Sequence, residues 1–145
     1  MIELFSMKSI LVNKKFIAKT LKTRPKKGKN LLEPFSTWSI KNNLPFNIIE
    51  DNEVLNNAER HKHEGDLWCC LVGKVDFICG GKMINELAIQ NSNGNNSQAD
   101  HIRGGKKVTL KSGDWLWIPP GEPHQHSSKS LSRLIIIKIP QIELT

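Results

Sequence analysis

Two histidines separated by one residue, His61-Lys62-His63, are the first place where this chain could do chemistry. In an extended chain residues i and i+2 point the same way, so both imidazoles face one side. Two neutral imidazoles converging on one point make a borderline-soft nitrogen site suited to Fe, Mn, Ni, Cu or Zn. Taken alone, the pattern equally describes exposed loop histidines. Asp66 follows three residues later and offers a carboxylate at the entrance of an apolar strand. A second segment reads Gly113-Asp114, then Pro119-Pro120-Gly121-Glu122-Pro123-His124. Gly113-Asp114 turns the chain into a short strand, and the Pro-Pro-Gly bend can aim His124 back into a cavity. His126 lies two residues further on and shares the face of His124. It is a candidate acid/base or proton shuttle beside a bound ion, the alternative being an exposed position after the turn.

Together the two segments resemble the paired motifs of the cupin superfamily, a double-stranded β-helix or jelly-roll barrel. The first motif of that family is H-x-H, a short gap, a carboxylate, six residues and Gly, for which this chain has His61, His63, Asp66 and Gly73. The second is G-D, four residues, P-x-G, two residues and His, which Gly113, Asp114, Pro119, Gly121 and His124 match without a gap. The flanking strands extend the resemblance to roughly residues 35 to 140. It implies an all-β cupin barrel that holds one divalent transition metal ion per chain (Fe, Mn, Ni, Zn or Cu) on His61, His63, Asp66 and His124. The chain departs from the pattern in that Leu55 stands where the family often has Gly, and Ser128 occupies its terminal Asn position. The carboxylate comes early and is an Asp instead of a Glu. Asp66 is therefore either a ligand or a group that orients a ligand histidine. Glu64 is expected to point away from both histidines.

Three histidines with one optional carboxylate leave coordination positions open for water, substrate or O2, whereas structural zinc sites close all four. The resemblance thus implies a metal-dependent enzyme acting on a small polar or anionic molecule, of dioxygenase, decarboxylase or isomerase type. Asp66 and His126 are the candidate catalytic acid/base residues. The alternative is a non-catalytic small-molecule-binding or regulatory module. Other conspicuous residues have plainer readings: His101 is expected at the surface, Trp68, Trp115 and Trp117 in the core, and Cys70 as a buried structural thiol.

The elements that must position these residues read as short strands. A chain of 145 residues has room for one domain with a real core. Residues 1–30 read as a basic N-terminal arm and 31–145 as a single cupin barrel. Nine Lys and Arg fall between Lys8 and Lys29, and Arg24 to Lys29 looks like a solvated linker. The net charge of +7 is concentrated there, but Phe16 stands alone among the charges, so nucleic-acid binding is not expected. Extended patterns follow at Phe35, Trp38 and Ile40, at Phe46, Ile48 and Ile49, and from Leu67 to Ile78. In the strand from Asp66 to Gly73 both alternating faces are largely apolar, so it is expected to be covered on both sides, by a second sheet or a partner subunit. The same holds for Leu134 to Ile137, and a homodimer is expected, with Leu31 to Ile40 a segment that could cross to the neighbour. The polar run Gln90 to Ser97 reads as a mobile hairpin tip or inserted loop. No apolar run approaches the roughly 20 residues of a membrane span, and the first residues do not read as a secretory leader. Three Cys, two of them the adjacent Cys69 and Cys70, suit a reduced, cytoplasmic protein.

Overall fold

The computed structural model describes residues 8–141. Helix α1 (Lys14–Leu21), strand β1 (Gly28–Leu31) and helix α2 (Phe35–Lys41) come first. Strands β2 (Phe46–Asn52), β3 (Val54–Leu55), β4 (Ala58–His61), β5 (Glu64–Val72), β6 (Lys74–Cys79) and β7 (Lys82–Ile84) follow. The chain then forms β8 (Leu87–Ala88), β9 (Asn96–Ala99), β10 (His101–Arg103), β11 (Lys106–Lys111), β12 (Trp115–Ile118), β13 (His124–Ser128) and β14 (Ser132–Pro140). One sheet has the order β1-β2-β14-β5-β12, and a second runs β11-β6-β13-β4-β9-β8 with β3 also paired to β13. Strands β7 and β10 form a separate pair. All the pairings are antiparallel. Among the described residues no helix is long and apolar enough to cross a membrane.

The expected alternation along β5 holds. Trp68 and Cys70 point between the sheets and join Val75, Phe77, Leu110, Ile118, Leu134 and Ile136 in one core. Gly73 closes the β5–β6 turn with φ +72°, and a side chain there would meet the Leu131 carbonyl oxygen at 2.1 Å. That backbone approach explains why the motif needs glycine at this position. The opposite face of the first sheet carries Ile48 and Ile135, and it is this chain's own N-terminal segment that covers them. Leu32 and Phe35, with Val12, Phe16, Ile17, Leu21 and Trp38, pack on that face as a second core.

The structure therefore corrects two readings. Phe35, Trp38 and Ile40 lie on a helix, not a strand: Phe35 and Trp38 are one helical turn apart and meet Phe16 in an aromatic cluster with centroids 5.1–5.7 Å apart. The segment Leu31 to Ile40 packs on the sheet of its own chain through Leu32, Phe35 and Trp38. Gly28 and Lys29, read as the end of a solvated linker, pair with Asn52 and Asp51 as edge-strand residues.

The basic segment is fastened by charge as well as by apolar contact. Arg133 on β14 and Glu50 on β2 are both buried, and the guanidinium donates to Glu50 Oε2 at 2.7 and 2.9 Å. Its remaining N–H groups donate to the Leu21 and Thr23 carbonyls, which are free because α1 ends there. Glu50 Oε1 in turn accepts the Lys26 backbone N–H at 2.8 Å. Breaking a buried pair strands the surviving charge, so Arg133→Ala is expected to lower unfolding stability by about 3–5 kcal/mol. Urea denaturation would measure this, and limited proteolysis should show first cleavage within residues 14–27. A loss under about 1 kcal/mol, on the scale of a surface pair, would contradict the clamp.

Candidate metal centre

The site lies where the two sheets face each other near their ends, and the ladder registers decide its membership. On the second sheet Glu59 and His61 share one face of β4, and Glu59 is the direct cross-strand neighbour of His124 on β13. On the first sheet Asp66 of β5 is the direct neighbour of Lys138 on β14. Ligand-type atoms of Glu59, His61 and His124 all lie within 4.8 Å of one another. Asp66 Oδ2 is 3.4 Å from His61 Nε2 and 3.2 Å from His124 Nε2. Lys138 Nζ donates to Asp66 Oδ1 at 2.7 Å and lies 3.3 Å from His61 Nε2. Lys29, from the basic segment, pairs with Glu59 Oε1 at 3.3 Å.

Both imidazoles are held from behind. His61 Nδ1 faces Asn96 Oδ1 at 2.8 Å, and His124 Nδ1 faces the Glu122 carbonyl at 3.1 Å. Each acceptor fixes the Nδ1–H tautomer and turns Nε2 into the site. Gly121, with φ +83°, donates its backbone N–H to the His61 carbonyl at 2.7 Å, so the Pro-Pro-Gly bend is tied directly to β4. The Asn-rich segment joins β8 to β9 and is tied down at its base. Asn95 accepts the Lys62 N–H on its backbone carbonyl and the His63 N–H on its side chain.

Burial and charge set the protonation of the group. Burial opposes the His61 imidazolium, but hydrogen bonding to Asp66 and Glu59 outweighs it and pushes this pKa up to about 9. Burial likewise opposes ionisation of Asp66, yet His124, His61 and Lys138 hold its carboxyl well below the usual range. Glu59 is held low in the same way, with His61 and Lys29 overcoming its burial. Two carboxylates are therefore ionised at neutral pH, Asp66 fully buried and Glu59 partly so. His124 Nε2 and Asp66 Oδ2 are also buried with no aligned hydrogen-bond partner. Such orphaned atoms, in a set of two imidazoles and two carboxylates, fit a divalent cation of the Fe, Mn or Zn kind.

Of the residues expected to ligate, His61, Asp66 and His124 come together and His63 does not join them. β4 ends at His61, and His63 sits in the following turn with its side chain exposed. The i, i+2 rule operates only while the strand lasts. Glu59, two residues before His61 and still inside β4, is the residue that lies with His61 and His124 instead. His126 shares the face of His124 but stands among core aromatics, its ring centroid 5.0 Å from Trp68 and 5.4 Å from Phe77. Its Nδ1 is 2.5 Å from the buried Asp51 Oδ2, and Asn56 donates to both Asp51 oxygens at 3.2 Å. His126 Nε2 is buried without a partner. A cavity of about 530 Å³, lined by Arg60, Lys62, Glu86, Asn95, Asn96 and Gly121 among others, adjoins the site through Asn96. Arg60 alternates with Glu59 and His61 and so faces the other side of β4.

The plainer readings fare unevenly. His101 is exposed and Trp68 buried, as expected, but Trp115 and Trp117 are 58% and 48% exposed. They fall on the outer face of the edge strand β12, beyond the reach of α1 and α2, with the Trp117 ring lying over Gly65. Ser128 bonds to the Ser132 hydroxyl at 2.6 Å. The thiols are free, and Cys69 and Cys70 are buried. Burial raises the pKa of all three, that of Cys79 to about 11 with help from the Glu122 charge. Because the thiolate is the reactive form, Ellman's reagent at pH 8 should react at least about tenfold more slowly with the native protein than with the urea-unfolded chain. One thiol titrating in the native protein at the unfolded rate would contradict this.

No family model matches this chain, and no curated protein matches it. Solved structures do. Hydroquinone 1,2-dioxygenase from Sphingomonas sp. TTNP3 matches at 11% identity with a TM-score of 0.50, over 88% of this chain and 73% of that one. A predicted oxalate decarboxylase from Thermotoga maritima matches at 16% identity and a TM-score of 0.49, over 77% of this chain and 78% of its own. The EutQ protein of Clostridium difficile matches at 19% identity and a TM-score of 0.42, over 66% of this chain and only 51% of that one. The match to the Drosophila melanogaster CENP-C cupin domain, at 12% identity and a TM-score of 0.45, likewise covers 64% of this chain and 55% of the other. Identities this low establish shared architecture and nothing of activity. With both motifs on paired antiparallel sheets around one core, this chain has a β-barrel fold of the cupin type.

Proposed function

We propose that this chain is a metal-binding cupin that acts on a small polar or anionic molecule, with one divalent transition metal ion held by Glu59, His61 and His124. The observation that carries the reading is the convergence of these three side chains within 4.8 Å, with buried Asp66 Oδ2 facing His124 Nε2 at 3.2 Å beside them. Such an ion would supply Lewis-acid polarisation of a bound oxygen and stabilise developing negative charge. Asp66, whose Oδ2 faces both Nε2 atoms, would contribute as a fourth ligand. The ammonium groups of Lys29 and Lys138 flank the carboxylates and favour an anionic partner. His126, held by Asp51, is the candidate acid/base, and a non-catalytic binding module built on the same site is the second reading.

Elemental mass spectrometry on untagged protein supplied with Fe, Mn, Ni or Zn tests the site. Wild type should carry close to one ion per chain, His61→Ala and His124→Ala should lose it, and His63→Ala should retain it. Loss of metal in His63→Ala alone would restore the H-x-H assignment, and no metal in wild type would sink the reading.

The same chain is proposed to pair with a second copy of itself in a reduced, cytoplasmic setting. The support is the free edge of β12, whose neighbour in the sheet is β5 alone, together with the exposed Trp115 and Trp117 beside it. An edge strand with apolar neighbours is a template for antiparallel self-pairing about a two-fold axis. Light scattering at micromolar concentration should give twice the chain mass, and Trp115→Lys/Trp117→Lys should give a monomer. A monomeric wild type would overturn the pairing.

A further inference from the structure

We infer that Lys138 is an internal stand-in cation, holding the ligand atoms together while no ion is bound and swinging outward when a divalent ion enters. The inference rests on the metal-binding reading above and adds a residue that the motifs do not name. Its starting point is that one ammonium touches two groups of the site at once. Nζ lies 2.7 Å from Asp66 Oδ1 and 3.3 Å from His61 Nε2. His61 Nε2 is the ring nitrogen that faces the site, because Nδ1 is committed to Asn96. An ion bound by His61 beside Asp66 therefore lies against the ammonium, and like charges that close repel one another.

The burial of the pair says which group moves. The Asp66 side chain has no exposure at all, whereas that of Lys138 is 37% exposed. Asp66 is fixed in β5 and needs compensation at all times, since a bare buried carboxylate is costly. Lys138 is near the end of β14, and its four-carbon stem lets the strongly hydrated ammonium reach water with little rearrangement. Metal and lysine thus compensate Asp66 in turn.

The fold contains its own control. Lys29 pairs with the other carboxylate, Glu59, at 3.3 Å, and among the described residues it bonds to no imidazole. Removing either lysine removes one positive charge near the site, but only Lys138 contests a ligand nitrogen.

The test is calorimetric titration of Zn²⁺ and Mn²⁺ into metal-stripped wild type, Lys138→Gln and Lys29→Gln, with folding checked by circular dichroism. Lys138→Gln should bind at least about tenfold more tightly than wild type, a usual size for coupling between two competing ligands, and the gain should exceed that of Lys29→Gln. Equal gains in the two variants would reduce Lys138 to a general charge effect and overturn the inference. A second readout uses the unmodified protein. Acylation of Lys138 followed by peptide mass spectrometry should be slow without metal and should speed up with Zn²⁺, while Lys62 is labelled alike in both. Unchanged labelling of Lys138 in protein that binds Zn²⁺ would overturn the stand-in role and leave the metal site intact. Absence of binding in wild type and in both variants would overturn the metal reading, and this inference with it.

Discussion

A carboxylate sealed from water has to be compensated from inside the fold, and the described residues include three that are buried. Asp66 faces His61, His124 and Lys138. Asp51 faces His126 and Asn56. Glu50 faces Arg133. Each pair joins different strands, so the charges set which strands can be neighbours and in which register. A shift of one residue between β5 and β14 would turn Lys138 to the outer face and leave Asp66 to the imidazoles alone. The barrel is thus specified by apolar area and also by the requirement that no ionised carboxylate be left alone.

That requirement links the fold to the site. The same alternation that sends Trp68 and Cys70 into the core sends Asp66 inward near the strand's beginning, where the core gives way to polar groups. On the other sheet, the pairing of Glu59 with His124 places a carboxylate and an imidazole side by side without any loop having to organise them. Ligands carried on strands are held more firmly than ligands carried on turns. His63, on a turn, is outside the cluster for this reason. The basic segment belongs to the same scheme, since Lys29 reaches Glu59 only because β1 is paired to β2.

Much of this was legible in the sequence, and the failures have physical causes. From Gly113-Asp114 to His124, Pro and Gly fix backbone direction locally, so this motif carries its own geometry. The H-x-H pair carries none. Whether its members converge depends on where β4 stops, which is set by Asn95 bonding to Lys62 and His63 from across the hairpin. Glu59 was visible by the same i, i+2 rule applied backwards from His61. Phe35 and Trp38 were misread because a spacing of three is ambiguous in a short apolar run. Trp115 and Trp117 were assigned to the core on size, whereas their alternation with the buried Ile118 already put them on the far face. Lys138 had no sequence signal: its role comes from a partner 72 residues away.

The hairpin between β8 and β9 divides into two unequal parts. Residues 91, 93 and 94 take left-handed backbone conformations that Asn and Gly tolerate, and an added side chain at Gly94 would meet nothing within 4 Å. Asn95 and Asn96, in contrast, hold the turn after β4 and the ring of His61. Over evolutionary time the tip is therefore free to lengthen, shorten or change its composition, and with it the rim of the neighbouring cavity. The two asparagines at its base are not free in this way, because drift there would be felt at once in the aim of an imidazole.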